Sequence, residues 1–297
     1  MHKLVDNLSF ILLNIGFSEP NADWNWKKIY SPFARIYYVT GGQAKTYING
    51  EMYMLKPGNL YFTPPFTLHD DECDGLFSLY YIHFYEKVNN KEPIFDKLDF
   101  PIEISADSLD LSLVKRLMQI NQGRELKHID PSVYDNMPAF SQYVADNNVL
   151  PMHSFLETQS ILSWLVSRFL RFAGLKMRYK NERINKCIQY IHENMDKDIT
   201  LLRLADILCV SVDHLTRIFR KELDCTPIKY INQKKIERAQ LLLLTTDMQI
   251  TDIALNLSID NISYFNRLFK QYTGLTPGCY RSTYNTEYTD TSLYTEL

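Results

Sequence analysis

Arg217 and Arg267 stand in settings that speak of chemistry. Arg217-Ile-Phe219-Arg-Lys and Arg267-Leu-Phe269-Lys-Gln are the same phrase set 50 residues apart, each followed by Thr-Pro at Thr226-Pro227 and Thr276-Pro277. A guanidinium carries a planar fork of donors that fits the O6/N7 edge of a guanine, or a phosphate. The plainer use of such a residue is a surface salt bridge. Around the two arginines lie further polar groups suited to the same work. They are Asp213, His214, Thr216 and Lys221 in the first copy, and Ser263, Tyr264, Asn266 and Lys270 in the second. Asp213 either accepts from a cytosine N4 or is an acid placed where a helix dipole favours it. Lys221, Lys270, Lys234 and Lys235 read as solvated lysines of which a minority would meet phosphate. A second group lies far upstream: Arg35, His69, Tyr81 and His83. Tyr81 and His83 share one strand face by period two. Their rings would either stack on a small ligand or fill a core. Arg35 would bind a ligand's polar groups or pair with an acid.

Local elements must position these residues. The repeat is the strongest guide, because self-similarity in fixed register marks one supersecondary unit used twice. Thr200 is an N-cap for a helix over Leu201–Leu208, Cys209-Val210 a turn, and Ser211 an N-cap for a second helix over Val212–Leu223. In that helix Leu215, Ile218 and Phe219 form the buried stripe and leave the polar residues outside. Short helix, tight turn and longer helix with a polar face is a helix-turn-helix, whose second helix enters a major groove. The second copy runs Thr251–Leu257, a turn through Ser258-Ile259-Asp260, and a helix from Asn261 to Tyr272 with Phe265, Leu268 and Phe269 inside. Leu204-Ala205 recurs as Ile253-Ala254 at an offset of 49, so the second copy has one extra residue in its turn. Between the copies, Thr226-Pro227 starts a helix to Leu244 whose packing face is Ile231, Ile236, Ala239, Leu242 and Leu243. Its ~18 residues span roughly 27 Å, enough to set two reading helices about one DNA turn apart.

Upstream, the pattern changes to strands: Ala34–Val39, Ala44–Ile48, Glu51–Leu55, Asn59–Phe62 and Phe77–Phe84. Turn formers separate them, and Asn49-Gly50 signals a hairpin. Short strands at this spacing argue for a barrel or sandwich. Residues 105–174 turn helical. The clearest element there is His153–Phe172, apolar round most of its circumference, which must bury two faces. One would pack on the barrel; the other is a dimer seam or a further internal face. Leu162 and Phe169 are taken as candidates for the outer side.

Charge agrees with this division. Residues 1–179 carry 17 basic and 20 acidic side chains, residues 180–281 carry 15 and 12, and residues 282–297 add three acids. The overall charge of −3 therefore hides a basic reader segment. The five cysteines form no CxxC pair, which argues against a disulfide framework or zinc and for a reducing cytoplasm. The run Phe10–Leu13 is too short for a membrane span and lacks a signal peptide's flanks, so no leader is expected.

The stretch Ser263–Arg281 reads Ser-Tyr-Phe-Asn-Arg-Leu-Phe-Lys-Gln-Tyr-Thr-Gly-Leu-Thr-Pro-Gly-Cys-Tyr-Arg. It resembles the signature of the AraC/XylS family of transcription regulators, over about a hundred residues. Arg35, Tyr38, Gly42, Pro57-Gly58, Pro64-Pro65, His69 and Ile82-His-Phe84 are similar, more loosely, to that family's cupin-like sensor barrel. The resemblance places the base-reading positions on Asp213, Thr216 and Arg217, and on Ser263, Tyr264 and Arg267. Cys209, Ser258 and Asp224 depart from it, since those turn and C-cap positions are usually glycine. Metal-dependent cupins use a His-x-His pair with a further Glu and His. No His-x-His occurs here, so neither metal nor cofactor is expected.

The reading is an α+β multidomain chain. Residues 1–104 form a cupin-like ligand-sensing barrel, 105–179 a helical dimerisation or linker segment, and 180–281 a seven-helix all-α double helix-turn-helix domain. Residues 282–297 are a disordered tail. The implied function is a cytoplasmic, homodimeric transcription activator bound to double-stranded DNA and RNA polymerase. A small-molecule effector in the barrel, a sugar by resemblance, controls it; no membrane partner is expected. The alternatives are a cupin enzyme with an accessory helical domain, and an effector-independent repressor.

Overall fold

Runs of β-branched and aromatic residues in the first third of the chain build two antiparallel sheets. The computed structural model describes residues 8–87, 93–134, 143, 146–147, 149–175, 182–246 and 248–282. The expected tail over 282–297 lies, beyond Ser282, outside them. The chain divides into two compact units: Met1–Asn89 with Phe100–Ala173, and Asn90–Asp99 with Gly174–Leu297.

In the first unit the strands are β1 (Phe10–Asn21), β2 (Trp26–Ile29), β3 (Ala34–Gly42), β4 (Ala44–Ile48), β5 (Glu51–Leu55), β6 (Asn59–Thr63), β7 (His69–Glu72) and β8 (Phe77–Glu86). One sheet has the order β1-β8-β3-β6 and ends on β10 (Glu103–Ser105); the other has the order β2-β7-β4-β5. Asn49 and Gly50 both take positive φ, 53° and 82°, so the β4–β5 hairpin turns as its Asn-Gly pair requires. The two sheets share one core that includes Tyr37, Leu79 and Tyr81 from one and Ala44 and Leu55 from the other.

Strand β1 does not alternate. Phe10 to Ile15 are buried without a break, so the run reads as hydrophobic rather than as a strand. Its outer edge would be open to unwanted pairing. The Gln159 amide closes it, accepting from the Phe10 N–H and donating to the Phe10 carbonyl. Further along, Asn147 and Arg124 donate to the Leu12 carbonyl at 2.8 and 3.3 Å.

α1 (Ile94–Lys97) belongs to the second unit; the helices of the first are α2 (Ser108–Ile120), α3 (Pro131–Tyr134) and α4 (Met152–Leu170). α2 starts in a capping box, Asp107 accepting from the N–H of Asp110 while Asp110 accepts from that of Asp107. Asp110 is fully buried and binds Arg168 of α4 at 3.1 Å, which locks the two helices. α4 corrects the sequence reading. Thr158, Ile161, Leu162, Leu165, Val166 and Phe169 form one buried stripe, so Leu162 and Phe169 face the core. The outer side carries Met152, Leu156 and Trp164 among serines. Circumference alone could not tell them apart, because a Trp and a Leu on the outer face look like core in a list of apolar residues.

The second unit contains β9 (Leu98–Asp99) paired with β11 (Gly174–Leu175), and the seven helices of residues 182–282. These are α5 (Glu182–Glu193), α6 (Leu201–Leu208), α7 (Val212–Leu223), α8 (Pro227–Thr245), α9 (Ile250–Asn256), α10 (Ile262–Thr273) and α11 (Pro277–Ser282). Thr200, Ser211 and Thr226 cap α6, α7 and α8 with side-chain oxygens, and Asn261 caps α10. α9 lacks such a cap, its N-cap being Gln249.

Cys209, Asp224 and Ser258, the three departures from glycine, have φ of 54°, 54° and 49°. An L-residue there costs about 1–2 kcal/mol, least for Asp. Cys209→Gly should therefore stabilise the unit by about 1 kcal/mol. A urea midpoint that falls on this exchange would show that the turn is unstrained. Ser258 is a poorer place to test it, since its hydroxyl donates to the Asp196 carbonyl at 2.7 Å.

Candidate functional site

The two reading helices present matched faces. On α7, Leu215 and Phe219 are fully buried, while Asp213, His214, Arg217 and Lys221 are exposed and Thr216 is half-buried. On α10, Phe265 and Phe269 are fully buried, Leu268 nearly so; Ser263, Tyr264, Arg267 and Lys270 are exposed and Asn266 is half-buried. The structure thus gathers each set of five candidates on one helix, with both arginines outside. Thr216 hydrogen-bonds back to the Val212 carbonyl at 3.0 Å, which occupies its hydroxyl proton. Tyr264 accepts from Asn232 of α8 at 3.2 Å, and Tyr272 donates to the Lys229 carbonyl at 3.1 Å. The linker helix therefore braces the second reader directly.

α8 also overturns one expectation. Lys234 and Lys235 are buried, not solvated. Lys234 pairs with Glu237 at 2.5 Å. Lys235 donates to the Lys197 and Ser258 carbonyls at 3.5 and 3.4 Å, and burial holds its pKa below the usual lysine range although Asp198, Asp196 and Asp260 oppose this. The reason is packing on nearly every side of α8, which lies against α7, α9, α10 and α11. A helix in that position needs its charges paired internally.

The upstream candidates lie in the sheet unit. Arg35 and His83 stand opposite each other on β3 and β8, and both are 1% exposed. Arg35 donates to Ser31 at 2.5 Å and its guanidinium carbon lies 4.4 Å from the Phe33 ring centre. His83 is ringed by Phe33, Tyr134 and Tyr81 at 5.1, 5.2 and 5.7 Å. The Tyr81 hydroxyl accepts from the Leu126 N–H at 2.8 Å, and burial pushes its pKa up to about 12. That hydroxyl passes over Gly16, where a Cβ would sit 2.2 Å from it, so the close approach requires glycine.

On the other sheet, β7 sets His69 and Asp71 on one face, with Thr46 and Trp26 beside Asp71 in register. His69 bonds the Thr67 carbonyl through Nδ1 at 2.9 Å, which leaves Nε2 as an acceptor. Burial, then the charge of Arg35, lowers its pKa to about 3 and lowers that of His83 well below the usual value. Both imidazoles are neutral at physiological pH. Asp71 is wholly buried, and this raises its pKa to about 6 even though Thr46 and Arg35 pull it down. His69 Nε2, both ring nitrogens of His83 and the indole N–H groups of Trp24 and Trp26 are buried without hydrogen-bond partners among the described residues. Unmatched donors and acceptors at this density in one interior suit a small polar ligand. Asp71, Thr46, Trp24 and Trp26 were not singled out in the sequence. His69 and Asp71 alternate with Asp70 and Glu72 at period two, but a strand written in charges reads as a loop. Among the described residues no three His, Cys, Asp or Glu side chains converge as a metal site would require.

The Asp71 shift has a testable consequence. Its pKa is raised on folding, so between about pH 4 and 6 the native state holds the extra proton. Stability from this group therefore falls as pH rises through that window, and the cost is complete above it. Two pKa units correspond to about 3 kcal/mol. Asp71→Asn should stabilise the sheet unit at pH 7.5 by up to about that amount, with the gain fading near pH 4. Thermal melts of both proteins at the two pH values measure this; an equal gain at both would remove the charge from the explanation.

Two helix-turn-helix units on a linker helix, with a ligand-suited sheet unit ahead of them, define a transcription-regulator architecture. Residues 16–87 match the family model of an AraC-like ligand binding domain, and residues 204–283 that of a helix-turn-helix domain. The chain thus carries an AraC-like ligand binding domain ahead of a helix-turn-helix domain, in line with its resemblance to the AraC/XylS transcription regulators. It is 38% identical over 101 residues to the Bifunctional transcriptional activator/DNA repair enzyme AdaA of Bacillus subtilis, covering 34% of this chain and 48% of that protein. It is 31% identical over 103 residues to the Arabinose operon regulatory protein of Escherichia coli, covering 34% and 35%. The Lactose operon transcription activator of Staphylococcus xylosus aligns along 94% of this chain and 93% of its own length, at 22% identity. The chain spans less than half the length of the first two of these relatives. No helix among the described residues is long and apolar enough to cross a membrane.

Proposed function

We propose that this protein is a sequence-specific transcription activator that binds double-stranded DNA through α7 and α10 and is controlled by a sugar held in the sheet unit. The observation that carries the reading is the paired display of Arg217 and Arg267 on two capped helices whose buried stripes match at an offset of 50. Arg217 and Arg267 would read guanines, with Asp213, Thr216, Ser263 and Tyr264 contributing base contacts and Lys221 and Lys270 phosphate contacts. Residues 1–104 would be the sensor, 105–179 the self-association segment and 180–281 the reader. The outer face of α4, with Leu156 and Trp164, would form a homodimer seam. RNA polymerase is the natural partner of such a protein in the cytoplasm, and the reading assigns it no catalysis.

A sugar fits the chemistry of the buried cluster. Asp71 and His69 Nε2 accept from hydroxyls, Arg35 donates, and Tyr81, Trp24 and Trp26 offer ring faces. Two relatives carry arabinose and lactose operon regulation in their names. The sugar acts only if it binds two states of the protein differently. The test is a thermal-shift screen of the full chain with mono- and disaccharides, followed by DNA titration with and without each binder. A binder that changes the apparent DNA affinity supports the reading. DNA binding with no sugar effect overturns its effector half, and no DNA binding at low salt overturns the whole.

A further inference from the structure

Beside the first reading helix lies an open cavity of about 330 Å³ whose lining includes Arg183, His214, Arg217, Ile218, Lys221 and Glu222. His214, Arg217 and Lys221 form one stripe of α7 at spacings of three and four. Arg183 comes from a different element, the first turn of α5, and is exposed. Three cations, Arg183, Arg217 and Lys221, thus line one space, with the His214 imidazole beside them, against the single carboxylate of Glu222. Like charges gathered this way favour an anion between them.

We infer that this cavity is a seat for a backbone phosphate of the bound duplex, and that Arg183 is a DNA contact outside the helix-turn-helix. The inference rests on the DNA-binding reading above and extends it to α5. A helix lying in a major groove has phosphates on both sides. The cavity opens along the flank of the helix assigned to that groove, so a phosphate at the groove wall meets Arg183 on one side and Lys221 on the other. A small organic acid is the less favoured occupant. Small-molecule sites fix their ligands with enclosed polar groups, and every basic residue of this lining is exposed.

The experiment measures binding of the full chain to a mixed-sequence duplex across a range of salt concentrations, for the wild type, Arg183→Gln and Arg183→Lys. Each neutralised phosphate contributes about 0.9 to the slope of log K against log salt. Arg183→Gln should reduce the slope by about that amount and weaken binding about eightfold at 0.1 M salt, the deficit closing toward 1 M. Arg183→Lys should restore the slope, and sequence preference should be the same in all three. A wild-type slope in Arg183→Gln, with DNA binding intact, overturns the phosphate seat and leaves the DNA-binding reading standing. No binding by the wild type overturns both. A third arm melts the protein with millimolar benzoate: saturable stabilisation lost in Arg183→Gln, with an unchanged salt slope, would give the cavity to a small acid and overturn the inference.

Discussion

Phe269→Ala should destabilise the reader by about 3–5 kcal/mol, and Phe219→Ala by a similar amount. Both rings are fully buried, and they hold equivalent places in the two helix-turn-helix units. Phe269 packs on Phe265 and Tyr280 at 5.9 and 5.1 Å, and Phe219 on Tyr230 at 6.1 Å. Truncation loses the transfer of the ring from water and leaves a cavity under the reading helix, and the arginine display goes with it. Domains of this kind are stable by only about 5–15 kcal/mol, so either change should unfold a large fraction of readers under mild denaturant. Urea unfolding followed by helical circular dichroism measures the loss, with Arg267→Ala as an exposed control expected within about 0.5 kcal/mol of the wild type. A loss below about 1 kcal/mol at Phe269 would mean that its unit is not built round that ring.

The second large effect separates two leucines of α4. Leu162 is fully buried and Leu156 is 65% exposed. Leu162→Glu places a carboxylate in the core without a partner. With the lost apolar transfer of about 2 kcal/mol, the cost should reach about 4 kcal/mol or more. Leu156→Glu should leave the fold within about 0.5 kcal/mol of the wild type and act instead on self-association. Sedimentation at tens of micromolar distinguishes them: an unfolding or aggregating Leu162→Glu, and a folded monomer for Leu156→Glu beside a dimeric wild type. A wild type that is itself monomeric under those conditions contradicts the dimer proposal.

The reader was legible in the sequence because its signals are local. Thr200, Ser211 and Thr226 cap helices where the sequence starts them, and Leu215, Phe219, Phe265, Leu268 and Phe269 are buried as their spacing requires. Ile218, expected in the same stripe, is only half-buried because it borders the open cavity. Even the departures from glycine at Cys209, Asp224 and Ser258 take the left-handed backbone that glycine would supply. What escaped depends on distant packing. Lys234 and Lys235 are buried because α8 is packed against helices from both units of the repeat, which no local pattern states. β1 hides as an unbroken apolar run, and β7 as a charged loop. The polar cluster in the sheet unit was half visible. Arg35, His69, Tyr81 and His83 could be named from residue type and strand face, but Asp71 gains its character only when burial raises its pKa. Trp26 joins it only when β2 pairs with β7, and Trp24 only when it packs against Tyr37 and Phe77.

Selection from random DNA, run with the wild type, Arg217→Ala, Arg267→Ala and Lys270→Ala, tests the central claim most directly. The account predicts two blocks of base preference for the wild type, centred about one helical turn, ~10 base pairs, apart. Arg217→Ala should relax one block and Arg267→Ala the other, each at a cost of about 1–3 kcal/mol, while Lys270→Ala weakens all sequences alike. If Arg267→Ala leaves both affinity and preference unchanged while Arg217→Ala abolishes them, α10 is a scaffold and the two-groove account is contradicted.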